Sequence, residues 1–281
     1  MAAPRRTTSL PPAKRFDWSN LGIRVVSATI LIPSVLAAVM FGGWAYLTLI
    51  AVAVAVLAIE WGTMTAPTAP VRVSTAVCAA VLAGLFLAHR DHMWLAWGGM
   101  LLGGLAAALV ARGVAERPAD AAFGVVYIGI ACVCLIWLRA MPQGKYWTIM
   151  LFAITWSADI AAYAVGNTLK GPKLWPRFSP NKTWSGFVGG LIASMATGAM
   201  MASLPMFSLN LAAAAVVGLF GGLATMAGDL WESMLKRRFG VKDSGDLIPG
   251  HGGLLDRVDG LLFAVVVIAG ARLVNHLGWG H

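Results

Sequence analysis

Asp229, Asp256 and Asp259 are the residues most able to do chemistry in an otherwise apolar chain. Asp256 and Asp259 are three apart, so a helix would set both on one face. Two carboxylates about 4 Å apart repel by roughly 4 kcal/mol at an effective dielectric near 20, which calls for a cation between them. A divalent ion such as Mg²⁺ takes hard oxygen ligands and keeps positions open for phosphate oxygens. Asp229 ends an apolar run and can close the same site from a second helix, where it shares a face with Glu232, Ser233 and Lys236.

After Asp229 the chain carries ten charged side chains up to Gly260, including Arg237, Arg238, Lys242, Asp243, Asp246 and Arg257, although only 12% of the protein is charged. Pro249-Gly250-His251-Gly252-Gly253 lacks bulk. A helix starting near Leu254 would turn its free N–H groups toward an anion. A metal, cations and a glycine turn are what phosphoryl or nucleotidyl transfer needs. Charged loops with glycine turns are also ordinary between membrane helices, and taken alone this segment reads either way.

A second constellation contains Asp159, within TWSADIAAYAVGN. An acid inside a membrane helix costs about 2.5–3.5 kcal/mol on insertion scales and is a functional candidate by default. Asp159 and Tyr163 share a helical face with Gly166 and Asn167; the plainer alternative is a buried Asp–Tyr bond that locks helices together. The next segment, Ser179-Pro180-Asn181-Lys182-Thr183-Trp184, offers hydroxyls, an amide and an ammonium to a phosphate. Glu60, the other intramembrane acid, is expected to snorkel or to pair with Arg72. His89, His92, His276 and His281 show no ligand spacing.

The elements that must hold these groups are membrane helices. The 281 residues are 59% hydrophobic, with a mean hydropathy of +0.76, whereas ordinary domains are about a quarter charged. Repeated runs of about 18 or more apolar residues indicate an all-α, polytopic integral membrane protein. The alternating segments of an outer-membrane barrel are absent. Nine spans are predicted, at 23–41, 45–64, 72–89, 93–111, 122–139, 147–166, 185–203, 209–230 and 260–278. Residues 1–22 read as a flexible basic arm, 23–140 as a scaffold of five helices, and 147–281 as a catalytic half of four. The latter includes cytoplasmic loops 167–184 and 231–259.

The formal charge is +9, but the cations fall in short loops. A cytoplasmic N-terminus puts 17 of the 21 Lys and Arg residues on that side, as the positive-inside rule asks. No nucleic-acid partner is therefore expected. Cys78, Cys132 and Cys134 lie in apolar runs and read as packing residues.

The run from Ser233 through Lys236-Arg237, Lys242-Asp243, Gly245, Ile248-Pro249 and His251-Gly252-Gly253-Leu254 to Asp256-Arg257-Val258-Asp259 resembles the signature of the bacterial phosphatidate cytidylyltransferases (CDP-diacylglycerol synthases). Ser-Pro-Asn-Lys-Thr-Trp at 179–184 resembles that family's other polar loop. The chain departs from the family at Ser185, where an acid or amide is usual, and at Asn167-Thr168-Leu169-Lys170-Gly171, which blurs a Gly-x-x-x-Gly-Lys pattern. No role is therefore assigned to Lys170, Lys173 or Ser185.

The resemblance implies an enzyme that joins CTP and phosphatidic acid into CDP-diacylglycerol and pyrophosphate. It implies a multi-pass protein of the bacterial inner (plasma) membrane with its active site on the cytoplasmic side. It leaves a homodimer and a second, monovalent cation open. On this reading Asp229, Asp256 and Asp259 are expected to hold Mg²⁺, with Lys236, Lys242 and His251 acting on the CTP phosphates. Asp159, Ser179, Asn181, Lys182 and Thr183 are expected to bind substrate, together with Ser233, Arg237, Asp243, Gly252, Gly253 and Arg257. The alternatives are a transporter with Asp159 and Asp229 as midplane ion sites, and a lipid kinase that uses CTP as phosphoryl donor.

Overall fold

The computed structural model describes residues 18–207, 209–245 and 252–278, with side chains from residue 29 onward. Among the described residues the chain forms nine helices. The first five are α1 (Trp18–Phe41), α2 (Gly43–Thr65), α3 (Pro70–His89), α4 (Met93–Gly113) and α5 (Pro118–Ala140). The rest are α6 (Gly144–Leu169), α7 (Trp184–Ala202), α8 (Leu211–Arg238) and α9 (Leu255–His276). Eight of them are long and apolar enough to cross a membrane; in α1 the described apolar part is Thr29–Phe41. This is an all-α, multi-pass membrane architecture, as the hydropathy pattern predicts.

Three edges differ from the predicted spans. α1 begins at Trp18, inside the segment read as an arm. α8 runs on to Arg238, well past the predicted 230, and α9 starts at Leu255 rather than 260. Charged residues at a helix end lower hydropathy without breaking the helix. At the end of α8, Lys236, Arg237 and Arg238 favour the negative end of the helix dipole. The helix stops where Gly240 takes a positive φ of 75°. There Val241 N–H donates to Lys236 O (2.9 Å) and Gly240 N–H to Arg237 O (3.2 Å), a Schellman closure.

The segment read as loop 167–184 is mostly ordered structure. α6 continues to Leu169, and two short antiparallel strands follow, β1 (Lys173–Trp175) and β2 (Ser179–Thr183), with Lys173 opposite Thr183. Pro172, Pro176 and Pro180 exclude a helix here. Thr183 then caps α7, accepting from Gly186 N–H at 3.1 Å.

Helices α2–α5 pack as one group and α6–α9 as another, with α5 touching both. α7 buries Gly186, Gly190, Ser194 and Gly198, one every fourth residue. A Cβ at Gly190 would lie 2.8 Å from Ala158 O of α6. Small residues thus let α6, α7 and α8 approach closely, as membrane helices do. The two groups are joined by aromatic rings: Trp61 (α2), Phe123 and Tyr127 (α5), Trp231 (α8) and Phe263 (α9), with neighbouring centroids 5.6–6.4 Å apart.

Candidate active site

A single turn of α8 and a single turn of α9 carry four of the acids, Asp229 with Glu232 and Asp256 with Asp259. Gly228 and Gly260 bring these helices together: a Cβ at Gly228 would meet Asp259 O, and one at Gly260 would lie 2.9 Å from Thr225 O. The next residue on α8 is Asp229 and the preceding one on α9 is Asp259, so the backbone contact sets these two carboxylates near each other. Asp259 feels the charges of Asp229 and Glu232.

Both carboxylates open on a cavity of about 770 Å³, walled by α6, the hairpin, and the polar ends of α7, α8 and α9. Its lining includes five carboxylates (Asp159, Asp229, Glu232, Asp256, Asp259) and four cationic side chains (Lys173, Lys182, Lys236, Arg257). Lys182, from β2, is ion-paired with Asp229. Lys236 lies 2.6 Å from Glu232 Oε2 and 2.5 Å from Asp256 Oδ1. Glu232 Oε1 is buried with no hydrogen-bond partner among the described residues. Asp159, on α6, lies within electrostatic reach of Asp229 and Lys182.

Nine of the predicted site residues come together around this cavity. Asp159, Asn181, Lys182, Thr183 and Asp229 line it, as do Lys236, Asp256, Arg257 and Asp259. Ser179, Ser233, Arg237, Lys242, Asp243, Gly252 and Gly253 do not line it. Lys242 and Asp243 are exposed, and Arg237 reaches the backbone of Val241 at 3.4 Å. His251 and Asp246 lie outside the described residues, as does the start of the arm.

The structure arranges several of these groups differently from the local spacing. Among the described residues no three His, Cys, Asp or Glu side chains are already grouped as a metal site; Lys182 and Lys236 lie among the carboxylates instead. Asp256 is engaged elsewhere: its Oδ1 accepts from Lys236 while Oδ2 accepts from Ser244 N–H (3.1 Å), Ser244 Oγ (3.0 Å) and Gly253 N–H (3.3 Å). The glycine turn does not leave space for a phosphate at Gly253, because a Cβ there would meet Ser244 Oγ and Asp256 Oδ2. The first amides of α9 are also taken. Leu254 N–H and Leu255 N–H each donate to the Glu60 carboxylate at 2.7 Å.

Glu60 therefore does not snorkel or pair with Arg72. It is 1% exposed, while Arg72 faces outward. An acid in an apolar helix was the signal, and its partner lay 194 residues away in sequence. The plainer alternative, an Asp159–Tyr163 bond that locks helices, does not form among the described residues, since Tyr163 is 75% exposed at the cavity. Sequence reasoning also assigned no role to Glu232, although its i,i+4 spacing to Lys236 was visible. Ser185, which departs from the resembled pattern, donates to Lys170 O and ties the end of α6 to the start of α7.

The donor set suits a hard divalent cation. Carboxylate oxygens dominate, and acids outnumber cations around the cavity. A triphosphate would be repelled from such a lining unless a cation came with it. In the structure the ammonium groups of Lys182 and Lys236 supply the positive charge.

A protein named phosphatidate cytidylyltransferase in Brucella suis biovar 1 (strain 1330) is 40% identical over 252 residues, spanning 89% of this chain and 92% of its own. Proteins of the same name in Staphylococcus saprophyticus subsp. saprophyticus and Staphylococcus aureus (strain COL) are 40% and 41% identical, over 53% of this chain and 58% of theirs. The sequence model of the Cytidylyltransferase family matches residues 22–273, and the chain belongs to that family.

Proposed function

We infer that the protein transfers a cytidylyl group from CTP to phosphatidic acid, giving CDP-diacylglycerol and pyrophosphate for phospholipid synthesis. The observation that carries this reading is the cavity itself: paired lysines and carboxylates gathered at one end of membrane-spanning helices. A lipid phosphate at the headgroup layer and a water-soluble nucleotide can meet there.

An oxygen of the lipid phosphate forms a bond to the α-phosphorus of CTP. The bond from that phosphorus to its β-bridging oxygen breaks, and pyrophosphate leaves with the electron pair. A phosphate monoester has a second pKa near 6, so it is largely dianionic at about pH 7 and needs no strong base. The protein's work is then positioning and charge neutralisation. Lys236, held by Glu232 and Asp256, offers a fixed ammonium on one wall. Lys182, on the hairpin, offers one that can leave Asp229 for a phosphate. Asp229 and Asp259 are the residues that would hold Mg²⁺, with Asp256 committed to Lys236. The ion would neutralise the triphosphate and polarise the reacting phosphoryl group.

The distribution of basic residues supports a cytoplasmic N-terminus and a cavity facing the cytoplasm of a bacterial inner membrane. Nucleoside triphosphates are found on that side.

The test is purified protein with CTP labelled at the α-phosphate, phosphatidic acid and Mg²⁺, with and without EDTA. Label is expected in the lipid, with pyrophosphate released and both lost in EDTA. Label confined to the aqueous phase, in protein shown to be folded, would sink the reading. Release of CDP in place of pyrophosphate would point to phosphoryl transfer instead.

A further inference from the structure

Glu60 is the lone charged residue of α2 and is 1% exposed. A carboxylate so buried must be hydrogen-bonded or its desolvation goes uncompensated. Its partners all lie at the start of α9 and the loop before it: Leu254 N–H, Leu255 N–H and the Ser244 hydroxyl, the last at 3.3 Å. The carboxylate thus caps α9 from another helix, where the free amides and the dipole favour a negative charge. Nothing local does this, for Leu254 at the cap position has no capping side chain.

Ser244 extends the contact. Its hydroxyl has one proton and lies between two carboxylates, 3.3 Å from Glu60 Oε2 and 3.0 Å from Asp256 Oδ2. Its backbone N–H also donates to Asp256 Oδ2. With Gly253 N–H on the same oxygen, Oδ2 is fully engaged, and only Oδ1 is left to face Lys236. Neither Glu60 nor Ser244 lines the cavity.

We propose that Glu60 and Ser244 are positioning residues for the reaction: through the start of α9 they fix the orientation of Asp256, which in turn aims the Lys236 ammonium into the cavity. The proposal rests on the cytidylyl-transfer reading above. It means that a helix of the first group sets the geometry of a site whose substrate-facing residues all belong to the second.

The experiment compares Glu60→Gln, Ser244→Ala and the double variant with wild type. Glu60→Gln keeps the shape and one acceptor oxygen; Ser244→Ala removes only a hydroxyl. Each single variant is expected to stay monodisperse, with kcat lowered about 10–100-fold, the usual cost of losing an outer partner of a site residue. The KM for phosphatidic acid should not move, and the double variant should be no slower than the slower single, because both act through one chain of contacts. Amide hydrogen exchange at Leu254 and Leu255 should quicken in Glu60→Gln.

Folded variants with wild-type kcat would overturn the proposal. So would unchanged exchange at Leu254 and Leu255, a result that stands whether or not wild type transfers cytidylyl groups. Strictly additive losses of thermal stability with unaltered kcat would reduce Glu60 and Ser244 to structural contacts and also overturn it. An inactive but folded wild type would instead count against the function, leaving the exchange result to decide whether Glu60 holds the start of α9.

Discussion

The two walls of the cavity are built differently. On the α8–α9 wall Glu232 is 1% exposed, and the side chains of Lys236 and Asp256 are each 14% exposed in a chain of contacts that ends on α2. On the α6–hairpin wall Asp159, Tyr163 and Asn181 are open to the cavity, and Lys182 keeps about a third of its side-chain surface where it reaches across to Asp229 of α8. One wall is preorganised, its charges already desolvated and paired; the other is loose enough to exchange an internal partner for a substrate group. Electrostatic preorganisation favours catalysis on the first. Access and binding fall to the second.

Breaking the rigid wall should have the largest effect on stability. Lys236→Met removes the ammonium that lies between the Glu232 and Asp256 carboxylates. Removing one partner of such a buried pair costs about 3–5 kcal/mol. A thermal melt in detergent should show the loss, and activity should vanish with it. Full stability in this variant would mean that the wall is not held by its charges.

Gly228→Ala tests the backbone contact behind the same wall. Its Cβ would meet Asp259 O, so α9 must shift. The expected destabilisation is about 1–3 kcal/mol, typical of overpacking, with loss of cytidylyl transfer measured in the same preparation. Unaltered activity would mean that the spacing of Asp229 and Asp259 is not critical.

The loose wall predicts the reverse pattern. Lys182→Ala removes an ion pair about a third exposed and should change stability by about 1 kcal/mol or less. Its kcat should nevertheless fall by about 100-fold or more, as when a donor to the transition state is lost. Melting curve and kcat together check this; a strongly lowered melting point would make Lys182 part of the scaffold.

The smallest effect belongs to a contact far from the cavity. Glu116, between α4 and α5, accepts from the Thr68 hydroxyl (2.6 Å) and the Thr68 N–H (2.7 Å). These bonds, the hydroxyl's first, hold its carboxyl below the ordinary glutamate value. A lowered folded-state pKa stabilises above the unfolded pKa, and that contribution fades as pH falls through the folded value. Glu116→Gln should therefore melt slightly below wild type at neutral pH, and the gap should close in acid, with no change in activity.

Much of this was legible in the amino-acid order. Each membrane crossing needs about 20 apolar residues, so hydropathy alone marks the helices. Acids and lysines are scarce in such a chain, which is why Asp159, Lys182, Asp229, Lys236, Asp256 and Asp259 could be singled out and do line one cavity. Less was legible where polar groups serve the fold. Gly252, Gly253 and Lys242 match the resembled signature yet lie off the cavity, because a signature preserves supporting turns as well as contact residues.

What the sequence determined by itself is the class of molecule and the inventory of reactive groups, since both follow from hydropathy and charge over short stretches. Partner choice was decided only by the tertiary structure. Lys236 had Glu232 within a helical turn but found Asp256 on another helix, and Glu60 found its partners 184 to 195 residues away. Local spacing carries no information about which helices lie side by side. That depends on small residues such as Gly228 and Gly260 meeting across the bundle, and only then do the carboxylates acquire neighbours.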